Sequence, residues 1–176
     1  MTVSTESTRR NRATRTRNLI INGSFQNGPN PGQSLKLNPG STAIQGWVVT
    51  RAPIDYVGTL WQAANGDRSL DLDGAGAGGI AQTFDTVPGE SYVVTFSLAG
   101  NPLGAPPIKL LGVTAAGQSA NFAFNISGRT PTNMGWETKR WMFMAQSNKT
   151  TLEFFSLNTS GGSWGPALDS VLVVLA

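Results

Sequence analysis

The chain has 176 residues, enough for one domain with its own core. Only 13% are charged while 39% are hydrophobic and Gly is abundant, a balance that suits a turn-rich β protein with a filled core. With neither Cys nor His, the sequence excludes thiol nucleophiles, disulfides, histidine acid–base chemistry, Ser-His-Asp triads and ordinary zinc sites together.

The charge is unevenly placed. Residues 1–17 form a predicted arm without apolar periodicity, carrying Arg9, Arg10, Arg12, Arg15 and Arg17 against Glu6. Residues 19–176 hold eight Lys/Arg against nine Asp/Glu, so the high pI belongs to the arm. An Arg-rich arm suits phosphate contacts or an acidic neighbouring subunit, and the near-neutral remainder argues against nucleic acid as the partner. The N-terminus lacks the apolar run of a secretory signal. No stretch reaches the roughly 18 to 20 apolar residues of a membrane helix.

From residue 18 to 176 the sequence reads as a single β domain. "RSLDLDGAGAGG" (68–79) places two carboxylates two residues apart before a glycine run. It is readable as a cation loop, a pair of catalytic acids or a strand running into a turn. "ESYVVTFSLAG" alternates, with Tyr92, Val94, Phe96 and Leu98 on one face. "IKLLGVTA" and "GQSANFAF" predict a hairpin turning near Ala116-Gly117. "NFAFNI" aligns Phe122, Phe124 and Ile126, and "RWMFMA" aligns Trp141 and Phe143. "TTLEFFSL" and "LDSVLVVLA" complete the set, the last too apolar to remain unpaired. Gly/Pro/Asn runs separate these segments, so the expected class is an all-β sandwich without helices or internal repeats.

A cation loop of the EF-hand kind needs an oxygen ligand where Ala75 stands and a distal Glu, and has neither. Two carboxylates on one strand face can lie about 7 Å apart, within glycosidase range, so spacing alone leaves catalysis open. "GAGAGG" is not a phosphate loop, because no Lys-Ser/Thr follows it.

In order along the chain stand "NLIINGSFQ", "IQGWVVT", "IDYVGTLWQAANGDRSLDLDG", "GIAQTF", "PGESYVVTFSLAGNP", "TNMGWETKRWMFMA", "TTLEFFSL" and "GPALDSVLV". Together they resemble the choice-of-anchor C family of bacterial surface proteins, which is similar to plant cell-wall proteins built from two galactose-binding-like domains. The resemblance covers the chain from about Asn18 onward and implies a galactose-binding-like jelly-roll β-sandwich. It also implies that "SLDLDG" is a strand with Leu70 and Leu72 inward and Asp71 and Asp73 on the opposite face. Such domains often hold a structural calcium ion where a first-strand "NGxFE" meets a last-strand "LDxV". Here the positions are Gln26 and Asp169. Gln in place of Glu removes one charge, and a turn-capping role for Asp169 is the competing reading.

Sugar binding needs flat aromatic faces and planar polar side chains. Trp61, Trp136 and Trp164 lie in turn-rich sequence, with Gln62, Asn65, Arg68 and Asn133 as polar companions. Trp47 and Trp141 stand in strand-like runs and are expected in the core. No motif positions a base to activate a Ser or Thr. The expected function is a non-catalytic, surface-displayed module that binds polysaccharide or glycan in an adhesive role outside the cell. The alternative is a structural virion component, a phage capsid decoration or tail protein, whose basic arm docks on neighbouring subunits.

Overall fold

The computed structural model describes residues 17–159 and 162–176. The arm residues Arg9, Arg10, Arg12 and Arg15 lie outside the described residues; Arg17 is the first within them. The described residues form eleven strands: β1 (Ser34–Leu37), β2 (Val48–Arg51), β3 (Ile54–Val57), β4 (Ser69–Asp71), β5 (Gly78–Asp85), β6 (Ser91–Gly100), β7 (Ile108–Ala115), β8 (Gln118–Asn125), β9 (Glu137–Met144), β10 (Lys149–Ser156) and β11 (Pro166–Leu175). They form a six-stranded sheet ordered β1-β3-β4-β11-β6-β9 and a five-stranded sheet ordered β2-β5-β10-β7-β8. Every strand pair is antiparallel. The chain is an all-β jelly-roll sandwich, and no helix among the described residues is long and apolar enough to cross a membrane.

Alternation decides which side chains meet between the sheets. Phe96 from β6 packs against Phe122 of β8 and Phe154 of β10 with ring centroids 5.2 and 5.0 Å apart. Both pairs sit edge-to-face, the geometry aromatic quadrupoles favour. At the other end of β6, Tyr92 stacks on Phe143 of β9. Trp47 is buried as expected, while Trp141 is only partly covered.

The β7–β8 hairpin turns through Ala116 and Gly117, both at positive φ, 50° and 73°. A two-residue turn of that kind matches the right-handed twist of its strands, and Gly117 adopts it without steric cost. Gln118, the first residue of β8, donates to the carbonyl of Met144 and accepts its N–H, capping the outer strand β9 at its end.

Two local features differ from the strand reading. "NGSFQ" is irregular rather than a first strand, with Asn22 and Phe25 at positive φ. It docks on β11, where Val171 donates to Gly23 O at 2.8 Å. A β-carbon on Gly23 would lie 1.9 Å from Val171 O, so only glycine allows the approach. The partner surface is a bulge in β11 between Asp169 and Leu172, with Ser170 at φ 53°. The extra residue locally breaks the ladder at Asp169, as bulges beside functional loops do.

Candidate functional site

The sequence-nominated aromatic and polar residues fall in three places. Trp61 is 5% exposed, and its indole N–H donates to Ser69 Oγ at 2.8 Å. This corrects its nomination as a ligand platform: a turn-rich sequence did not expose it, because the β3–β4 loop folds back and buries the ring. Gln62 and Asn133 are exposed and stand where this loop meets the β8–β9 connection. Gln62 N–H donates to Pro131 O and the Trp136 indole donates to Gln62 O, each at 2.8 Å. Thr59, Leu60, Trp61, Gln62, Pro131 and Thr132 line an open cleft of about 410 Å³ there.

Asn65 and Arg68 belong to the far side of the same loop. Arg68 pairs with Asp67 at 3.1 Å, its side chain largely covered. Asn65 is tied to the two residues nominated for calcium. Asp169 Oδ2 accepts the N–H groups of Ala64 and Asn65 at 2.9 Å, and Oδ1 accepts that of Ser170 at 2.6 Å. Burial pushes the Asp169 carboxyl up to about 6, with these N–H donors opposing the rise. Gln26 Nε2 donates to Ser24 O (2.7 Å) and Asn65 O (3.3 Å), while Oε1 accepts from Asp67 N–H. These residues do not fit a calcium ion: the Asp169 oxygens face hydrogens, and an amide nitrogen points at the carbonyls a cation would need. The turn-capping reading of Asp169 fits the geometry.

Trp164 lies at another end of the sandwich, above the two carboxylates of "SLDLDG". Asp71 and Asp73 are 1% and 2% exposed. The stretch is a strand end, as read, but its polar face is sealed rather than open to water. Asp71 Oδ1 accepts from the N–H groups of Asp73 and Gly165 at 2.9 Å, and Oδ2 accepts from Asn101 Nδ2 at 2.7 Å. Burial raises Asp71 to about 7, with those three donors pulling it back and the Asp73 charge adding to the rise. Burial also raises Asp73, against the side chains of Ser156 and Asn158 and the charge of Lys109. Asp73 Oδ1 and Asn158 Nδ2 have no partner in good hydrogen-bond geometry.

Lys109 enters this end from β7, fully buried. Its ammonium donates to Gly104 O at 2.7 Å and Trp164 O at 2.6 Å. Burial lowers its pKa, and the charges of Asp71 and Asp73 resist the fall. The buried network therefore fixes the β6–β7 and β10–β11 loops to each other, and the 42%-exposed Trp164 indole lies on Gly104 at their junction. Two carboxylates and an amine without solvent access bind loops together rather than meet a substrate.

One cluster on the outer face of the five-stranded sheet was missed in the sequence. Thr50, Gly79, Phe155, Gly112 and Asn121 form one row across its five strands. The Phe155 ring lies over Gly112, where a β-carbon would come within 2.4 Å of it. The Arg51 guanidinium stacks on that ring, 3.6 Å from its centroid. Glu153 holds Arg51 at two points, 2.8 and 3.0 Å, and also accepts from Thr50 Oγ1 at 2.7 Å. Alternation in "TTLEFFSL" puts Glu153 and Phe155 on one face. Nothing local pairs them with an arginine 102 positions earlier that sits at φ 63°.

The family model described as "Protein of unknown function (DUF642)" matches residues 18–174. This chain belongs to that family. It is 32% identical over 162 residues to Halomucin of Haloquadratum walsbyi and 25% identical over 175 residues to Protein TEEBE of Arabidopsis thaliana. Those alignments take in 89% and 90% of this chain but 2% and 46% of the relatives, so it spans under half the length of either. Among solved structures, DUF642 chain residues superpose on a family 35 carbohydrate binding module from Clostridium thermocellum with TM-score 0.55. The identity is 12%, and the match covers 81% of this chain and 99% of that one. TmCBM61, solved with β-1,4-galactotriose, matches with TM-score 0.53 and 12% identity over 92% of this chain and 100% of that one. At these identities the likeness establishes the shared sandwich and nothing finer.

Proposed function

We propose that this DUF642 domain, residues 18–176, is a non-catalytic glycan-binding module acting outside the cell, with Trp164 as its stacking platform. One observation carries the reading. The Trp164 indole is half-open to solvent, yet its own carbonyl is held by Lys109 and the next N–H by Asp71. A sugar presents C–H surface to such a ring, and a ring already fixed loses little freedom on binding. The sandwich shared with carbohydrate binding modules supports the reading, as does the sealing of Asp71 and Asp73 away from any cleft. Gln62, Asn133 and Trp136 beside the 410 Å³ cleft provide a further place for hydroxyl contacts.

The test is affinity electrophoresis of the full chain against soluble galactan, arabinan, xyloglucan and mannan, beside Trp164→Ala. Retardation by at least one polysaccharide is expected, weakened about tenfold in the variant, the loss typical of a removed aromatic anchor. Unretarded migration in all of them would overturn the reading.

A further inference from the structure

We infer that the outer face of the five-stranded sheet is a second glycan-binding surface, separate from Trp164, that takes an extended neutral oligosaccharide laid across the strands. The inference rests on the glycan-binding reading above. The face combines a rigid planar centre with hydroxyl partners on both sides. Arg51 is clamped between the Phe155 ring and the Glu153 carboxylate, so its guanidinium plane is fixed with its outer surface open. The Nε hydrogen and one Nη2 hydrogen are spent on Glu153, which leaves the Nη1 hydrogens and the second Nη2 hydrogen for ligand oxygens.

Around that centre the side chains are mostly small or hydroxyl- and amide-bearing, with Val48 and Leu110 as exposed apolar neighbours on the same face. Gly79 and Gly112 flank Phe155 in its row and Asn121 ends it; Ala81, Glu153, Thr114 and Ser119 form the next row. Asn121 and Ser119 are exposed and Thr114 half-exposed. Five strands at sheet spacing give a bed about 19 Å wide, the scale of a short oligosaccharide rather than one sugar.

Charge selects the class of ligand. Arg51 is neutralised by Glu153, and the Lys149–Asp85 pair on the same sheet is likewise balanced, so among the described residues the strands of this face carry no net charge to hold an acidic polymer, with Arg17 bordering only its Asp85–Lys149 end. Donors and acceptors are present together, which matches hydroxyls, each both donor and acceptor. Phe155 is 9% exposed and covered by Arg51, so the centre of the face offers a ligand a guanidinium plane rather than an open aromatic ring.

The experiment is amide NMR of the full chain titrated with galacto-, arabino-, xylo- and manno-oligosaccharides and, for charge, oligogalacturonate. Expected are shifts at Gly79, Gly112, Asn121 and Phe155 with a neutral ligand. Asn121→Ala and Arg51→Lys should each weaken that binding about tenfold, as loss of a planar hydrogen-bonding anchor does, while Trp164→Ala leaves these shifts in place. Asn121 is exposed, so its variant keeps the fold even where Arg51→Lys disturbs it. Shifts confined to Gly104 and Trp164 would overturn this inference and leave the glycan-binding reading standing. Preference for oligogalacturonate would overturn the neutral class. Absence of shifts with every sugar would remove the function and this surface together.

Discussion

The indole of Trp164 rests on the backbone of Gly104 so closely that a β-carbon there would lie 2.2 Å from Trp164 Cδ2. Gly104 is not at positive φ, so its lack of a side chain serves the ring rather than the turn. Gly104→Val should therefore lift the indole with little damage to the core, shifting stability by about 1 kcal/mol or less. Tryptophan fluorescence should report a changed environment, and polysaccharide affinity should fall as it does in Trp164→Ala. A variant that binds as tightly as the parent would show that the platform's pose is irrelevant to ligand.

Lys109 is the fixture beneath that platform. Lys109→Met keeps the stem that packs over Gly100 but removes the ammonium that two loop carbonyls accept from. The carbonyls of Gly104 and Trp164 then lose a donor, and Asp71 and Asp73 lose the positive charge beside them. Denaturant unfolding should show a loss of about 3 kcal/mol or more, the usual cost of orphaning a buried charge. A loss below about 1 kcal/mol would mean that water replaces the amine freely, a result expected of a surface group rather than a buried one.

The buried carboxyls set the pH profile. Asp71 is raised from 3.8 to about 7 and Asp169 to about 6. A raised acid binds its proton more tightly in the folded chain, so its contribution is complete below 3.8 and is lost as pH rises through the folded value. Asp85 and Glu153 are held below their ordinary values, by Lys149 and by Arg51 with Thr50, so their losses come only in stronger acid. Lys109 is lowered and gains as pH climbs toward 10.5. The melting temperature should drop by about 5 °C or more between pH 5 and pH 8. Asp71→Asn should flatten most of that slope at a lower overall stability, measured by calorimetry across the range.

Much of the fold was legible because it depends on local rules. The alternation of Tyr92, Val94, Phe96 and Leu98 survives intact in β6, and the Ala116-Gly117 turn sits where its chemistry demands. Short or glycine-rich strands such as β1 and β5 were not, since their pairing comes from neighbours rather than from their own pattern. The site was harder. Trp61 and Trp164 occupy equally turn-rich sequence, and only the return of the β3–β4 loop buries one and leaves the other open. Asp71 and Asp73 share a face, as alternation implies. That face is dry because Asn101 and Gly165, distant in sequence, close over it.

Gln26 bears directly on whether a calcium ion can bind here. Its amide nitrogen bridges the carbonyls of Ser24 and Asn65, while its oxygen takes the Asp67 N–H, so one neutral side chain joins the segments that a cation would otherwise draw together. Millimolar calcium or chelator should leave the melting temperature of the parent chain unchanged. Gln26→Glu turns the nitrogen into an oxygen facing two carbonyls, which should destabilise the domain by about 1 to 3 kcal/mol. The new carboxylate and the two carbonyls are hard oxygen donors, so calcium added to this variant should restore part of the loss. A parent chain that melts earlier in chelator would show that a cation does bind here, through a rearrangement of the Gln26 amide.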